Sequence, residues 1–118
     1  MPHKPNILVV CGKNKRRSRT AEHIFKNDAR LHIRSAGLSP KSNRKISEKD
    51  MQWADLVLVM ESEHRARIWD LFGKSDQPEI RVLHIPDVYD YLDDVLIKIL
   101  KEKMQELFDE NDDRLSIR

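Results

Sequence analysis

Residues 6–10 read Asn-Ile-Leu-Val-Val, a short unbroken apolar run rich in β-branched side chains, and Cys11 follows it directly. A run of this kind predicts a central parallel strand buried on both faces. The next segment, Cys11 to Arg17, is short and basic. After it Ser18 is placed to cap a helix reaching about Asp28, with Ala21, Ile24 and Phe25 at helical spacing toward a core and Glu22 in the first turns. Strand, tight basic loop and helix in this order restrict the chain to a small set of α/β folds.

The rest of the sequence repeats the alternation. Leu31 to Ser35 predicts a second strand ending at Ala36-Gly37, and Leu38 to Lys45 a polar, exposed connection. Ser47-Glu48-Lys49-Asp50 has the form of a capping box with Asp in place of Glu, opening a short helix through Trp53. Asp55 to Met60 is a third compact apolar run, followed by a helix capped by Ser62, reaching about Phe72 and stopped by Gly73. Glu79 to Ile85 predicts a fourth strand closed by Pro86. Asp87 to Asp94 is acidic and aromatic without periodicity, and Val95 to Phe108 is an amphipathic helix; the tail beyond Glu110 is expected to fray. The fold class is therefore α/β: a single small doubly wound domain over residues 1–118, with a four-stranded parallel sheet flanked by helices. In such sheets ligands bind beyond the carboxyl ends of the strands, where strand order reverses. Cys11 and Asp87 both fall on that edge.

Composition narrows the function. The 118 residues are 39% hydrophobic and 36% charged, too apolar for a disordered chain and too charged for a membrane one. No apolar run approaches the roughly 20 residues that span a bilayer, and no signal peptide is evident, so a cytoplasmic protein with no membrane partner is expected. The single cysteine, Cys11, excludes an internal disulfide and a multi-cysteine zinc site. His3, His23, His32, His64 and His84 show no ligand spacing, so neither a metal nor a cofactor is expected. Net charge is only +2, but eleven Lys and Arg lie between Lys13 and Lys45 against Glu22 and Asp28 alone, whereas residues 87–113 hold ten Asp and Glu against three Lys.

The loop reads Cys11-Gly12-Lys13-Asn14-Lys15-Arg16-Arg17-Ser18. A loop wrapped over a helix N-terminus meets free backbone N–H groups and the positive end of the helix dipole, which makes it an anion site with phosphate as the natural guest. The same environment favours the thiolate form of Cys11, the nucleophilic form. Arg17 is placed to hold phosphate oxygens bidentately, in a way lysine cannot imitate. Ser18 can give its hydroxyl to the sulfur, and Asn14 can brace the loop.

Val9 to Ser18 followed by Ala21-Glu22 resembles the signature of the low-molecular-weight protein tyrosine phosphatases. The resemblance continues in family order through Ser35-Ala36-Gly37, Ala54 to Met60 and Pro86-Asp87-Val88-Tyr89. It implies that Cys11 takes up the phosphoryl group, that Arg17 and the loop amides, over Gly12 to Arg16, hold its oxygens, and that Ser18 eases departure of the thiolate. It also implies that Asp87 protonates the leaving oxygen and then activates water, and that Tyr89 walls the pocket. Asp90, Asp93 or Asp94 is an alternative to Asp87 as the acid. The substrate implied is a phosphorylated protein or a small phosphomonoester. Oligomeric state is left open, with a monomer compatible.

The chain departs from the family at several places. Lys13 stands where the family usually has Gly, so strain at Lys13 or a slightly different loop is expected. Arg16 replaces a second loop cysteine, Arg19 and Val88 replace prolines, and the chain lacks a segment between strands two and three. A catalytically weak phosphate or phosphoprotein binder built on the same loop is therefore the alternative function. A phosphoryl carrier of a sugar-uptake system has no need of Arg17 or Asp87, and thioredoxin-coupled arsenate reduction needs more cysteines than one. Nucleic acid is the least favoured partner, because the anion loop already accounts for the basic residues.

Overall fold

The computed structural model describes residues 4–110; the tail beyond Glu110 lies outside them. The opening apolar run becomes β1 (Asn6–Cys11), one residue longer than its sequence pattern, so that Cys11 is its last member. There follow α1 (Arg17–Phe25), β2 (His32–Gly37), α2 (Glu48–Trp53), β3 (Leu56–Val59), α3 (Ser62–Phe72), β4 (Glu79–Val82) and α4 (Asp94–Glu110). The four strands form one parallel sheet in the order β2-β1-β3-β4. The chain leaves β1 toward β2 on one side and returns to place β3 on the other. The reversal point thus lies between β1 and β3, and their carboxyl ends border it.

Alternation along the strands divides the core in two. Ile7, Val9 and Cys11 of β1, with Leu56, Leu58 and the following Met60, face α1 and α4 and pack with Ala21, Phe25, Leu96, Leu100, Met104 and Leu107. Leu8, Val10, Val57 and Val59 face the opposite side and pack with Met51, Ala54 and Ile68. Strands covered on both faces carry no polar side, which is why β1 and β3 read as continuous apolar runs.

Local signals set most boundaries. Ser47 and Asp50 form the capping box of α2, the Ser47 hydroxyl accepting from the Asp50 N–H and the Asp50 carboxylate accepting from the Ser47 N–H. Gly73, at φ 82°, ends α3 in a conformation that favours glycine. The Asp93 carboxylate accepts from the N–H groups of Val95 and Leu96 at the start of α4.

Beyond shifts of a few residues at other ends, three boundaries differ from the sequence pattern in a way that bears on the site. Helix α1 begins at Arg17 with Arg16 at the N-cap position, so Ser18 lies inside the first turn instead of capping it. Glu61, not Ser62, occupies the N-cap position of α3. Regular β4 ends at Val82 because His84 has φ 56° and breaks the pleat, although Leu83 and Ile85 still donate to the carbonyls of Val59 and Met60.

Candidate active site

The turn from β1 into α1 wraps around its own side chains. Cys11, 3% exposed, sets its Sγ 3.0 Å from Ser18 Oγ. Asn14 Nδ2 donates to that same hydroxyl at 2.9 Å, which leaves the Ser18 proton available to the sulfur. Ser18 is thus withdrawn from capping and turned toward the thiol. Asn14 also makes the tightest turn of the loop, at φ 53°, a left-handed conformation that asparagine tolerates better than most residues. The strain expected at Lys13 is not there: the residue of positive φ in this loop is Asn14, so Lys13 needs no glycine-like backbone.

The segment after β2 supports the loop from behind. Leu38 and Ser39 donate their N–H groups to the carbonyls of Cys11 and Gly12, and Asn43 Nδ2 donates to the Asn14 carbonyl at 3.0 Å. Ser42 Oγ reaches the Gly12 carbonyl at 3.3 Å. The connection expected to be exposed over Leu38 to Lys45 is exposed at Pro40, Lys41 and residues 43–45, but Leu38 is buried, and the Ser42 and Asn43 side chains that read as loop composition are braces. Gly37 permits the close approach. A Cβ at Gly37 would lie 2.1 Å from Ser42 Oγ and 2.8 Å from the Asn14 nitrogen.

Arg17 is 4% exposed and joins three segments. Its Nη1 donates to Glu61 Oε2 and to the Ile85 carbonyl, each at 2.7 Å, and its Nε lies 3.6 Å from Asp87 Oδ1. The guanidinium therefore links the β1 loop to the end of β3 and to the segment after β4. The acidic segment is tied to α1 as well, since the Leu92 N–H donates to Thr20 Oγ1 at 3.0 Å.

Glu61 and His64 had no signal in the sequence beyond their place after an apolar strand. The hydrogen bond from Arg17 holds the Glu61 carboxyl below the usual glutamate range. Buried His64 accepts at Nδ1 from the Glu61 N–H at 3.2 Å, which puts the neutral ring's proton on Nε2, 4.0 Å from Glu61 Oε2. Burial is the main cause that pushes the His64 imidazole below its ordinary value.

These groups open on a cavity of about 340 Å³ at the carboxyl edge of the sheet. It is lined by Cys11, Gly12, Lys13, Lys15, Arg16, Arg17 and Asp87, together with Glu61, Glu63, His64 and Arg67 at the start of α3. Asn14 and Ser18 stand behind the lining, in contact with it through their hydrogen bonds. Asp90, Asp93 and Asp94 are not among the lining residues. Neither is Tyr89, which is half-buried and packs against the core.

No protein-family model and no curated protein sequence matches the chain. Solved structures do. A low molecular weight protein tyrosine phosphatase from Streptococcus pyogenes superposes with a TM-score of 0.74 at 16% identity, covering 90% of this chain and 92% of the other. The tyrosine phosphatase AmsI from Erwinia amylovora gives 0.72 at 20% identity, with 92% and 93% covered. The YwlE arginine phosphatase from Geobacillus stearothermophilus gives 0.67 at 21%, with 91% and 95% covered. The fold is that of the low molecular weight protein tyrosine phosphatases. At these identities the likeness speaks for architecture. On that fold the cysteine loop occupies the place where open α/β sheets bind ligands. Among the described residues no helix is long and apolar enough to cross a membrane.

Proposed function

We propose that this chain is a cysteine-dependent phosphomonoester hydrolase of the protein tyrosine phosphatase type, a single domain over residues 1–118 that acts in the cytoplasm on a phosphorylated protein or a small phosphomonoester. The observation that carries the reading is the convergence of Cys11, Arg17 and Asp87 on one cavity from β1, α1 and the segment after β4. In the first step Cys11 Sγ forms a bond to phosphorus as the ester P–O bond breaks, and Asp87 gives its proton to the departing oxygen. In the second, water attacks the phosphocysteine and loses a proton to Asp87, and the sulfur leaves as thiolate toward the Ser18 hydroxyl. The backbone N–H groups of Gly12 to Arg16 and the guanidinium of Arg17 hold the phosphoryl oxygens. Because Nη1 of Arg17 is engaged by Glu61 and the Ile85 carbonyl, the guanidinium plane is set before substrate arrives.

A second reading, a catalytically weak phosphate or phosphoprotein binder, draws on Asp87 itself. Its side chain is 57% exposed, and its nearest charged partner is Arg17 at 3.6 Å.

Hydrolysis of an aryl phosphate at about pH 6 decides between them. Turnover lost in Cys11→Ser and reduced about 10²- to 10⁴-fold in Asp87→Asn is the outcome expected of the hydrolase. Phosphate binding without release from the wild type establishes the binder.

A further inference from the structure

The arginines among the described residues that lie away from the cavity all have company: Arg30, Arg44 and Arg81 pair with carboxylates, Arg34 and Arg65 lie over tryptophan rings, and Arg19 lies over the Tyr91 ring. Four cations on the cavity do not: Lys13, Lys15 and Arg16 on the loop and Arg67 on α3 are exposed, and their side chains have no hydrogen bond or ion pair among the described residues. Two of the three carboxylates on the cavity, Glu61 and Asp87, face Arg17, so that Glu63 alone stands against those four charges and the lining keeps an excess of positive charge. A single phosphomonoester dianion is met by Arg17 and the loop amides alone. Among the described residues the cavity lining also has no Phe, Tyr or Trp, so an aryl leaving group finds no benzene or indole ring to stack on.

Resting on the phosphatase reading above, we infer that the substrate carries a second anionic group, a phosphate or carboxylate, beside the phosphate that is removed, and that Lys13, Lys15, Arg16 and Arg67 receive it. An excess of positive charge around a concave site focuses the field and favours polyanions over substrates of one charged group. The shared chemistry has two sources: a phosphopeptide with acidic residues next to the phosphorylated side chain, or a small bisphosphate.

The test is kcat/KM for the purified wild-type chain at low and at physiological salt on five substrates: p-nitrophenyl phosphate, a phosphotyrosine peptide with neutral neighbours, the same peptide with acidic neighbours, and a sugar monophosphate with its bisphosphate. The expected result is a preference of about tenfold or more for the acidic member of at least one pair at low salt, shrinking as salt screens it. The double variant Lys15→Ile with Arg67→Ala is expected to bring that ratio toward one. A preference within the peptide pair identifies the peptide source, and one within the sugar pair the small-molecule source. Turnover of p-nitrophenyl phosphate with both ratios at one overturns the inference and leaves the phosphatase reading standing. Absence of turnover on all five substrates overturns the phosphatase reading and the inference with it.

Discussion

Glu61 grips Arg17 across the reversal point of the sheet, Oε2 to Nη1 at 2.7 Å, although the two residues are 44 positions apart in sequence. The carboxylate follows β3 and the guanidinium follows β1, so the contact exists only because the two strands are neighbours. Glu61→Ala releases the guanidinium without opening the core, since its side chain is 40% exposed. A phosphate-holding group that loses its orientation costs about 10- to 100-fold in rate. The expected outcome in steady-state kinetics is a loss of that size in kcat/KM on an aryl phosphate, partly restored by Glu61→Asp.

His64 ties stability to pH. With its imidazole pushed down by burial, and Arg17 and Arg67 adding to that against Glu61 and Glu63, the folded chain binds fewer protons than the unfolded one as pH falls through the ordinary histidine value. Stability therefore rises with pH in that window: it is full above about 6.5 and declines as pH drops toward the lower folded-state value. Melting temperatures taken from about pH 7 down to pH 5 are expected to fall for the wild type and to fall less for His64→Gln; equal slopes would refute the assignment.

On the proposed hydrolase mechanism Ser18 acts in the second chemical step, its hydroxyl, 3.0 Å from the sulfur, stabilising the thiolate as phosphorus is released. A hydrogen bond to a charged group contributes about 1.5–3 kcal/mol, or roughly 10- to 100-fold in rate. Ser18→Ala is expected to slow hydrolysis of the phosphocysteine by that factor and to spare its formation, seen in rapid mixing as a larger burst ahead of a slower steady state.

Gly37 is required for space, not for backbone freedom. An alanine there drives its Cβ against Ser42 Oγ and Cβ and toward the Asn14 nitrogen, at 2.1, 2.6 and 2.8 Å. Overpacking of this kind costs about 1–3 kcal/mol. Gly37→Ala is expected to lower the melting temperature and to disturb the loop, and the pairing with Ser42→Gly to recover part of the stability by removing the first two contacts.

What could be read directly from the chain was local or periodic. The uninterrupted apolar runs at Asn6–Cys11 and Leu56–Val59 mark strands buried on both faces, and Ser47 with Asp50 and Gly73 punctuate their helices by chemistry that acts within a few residues. The loop residues Cys11 to Arg17 form a contiguous stretch, and the arrival of all but Asn14 on one cavity follows from the strand and helix that flank them. The features that escaped depend on distance in sequence. Ser18 has the composition of a cap, and only the folded turn shows that Asn14 and Cys11 claim its hydroxyl instead. Glu61, His64 and Arg67 reach the cavity because β3 lies beside β1, which no spacing within α3 reveals. Tyr89 sits two residues from Asp87, yet alternate positions of an irregular segment need not face one way, and its ring goes to the core.

Cys11 shares one packed cluster with Ile7 and Val9 while Leu8 and Val10 belong to the other. The aim of the sulfur is therefore a matter of parity. A strand slipped by a single residue against β3 would turn Gly12 toward the helix pair and send the thiol to the far side of the sheet. Hydrophobic side chains throughout β1 would still find apolar surroundings after such a slip, but the thiol would no longer share a cavity with Arg17. The framework that resists unfolding and the framework that points the reagent are thus one object, and mutations that loosen β1 should silence the chemistry before they dissolve the fold.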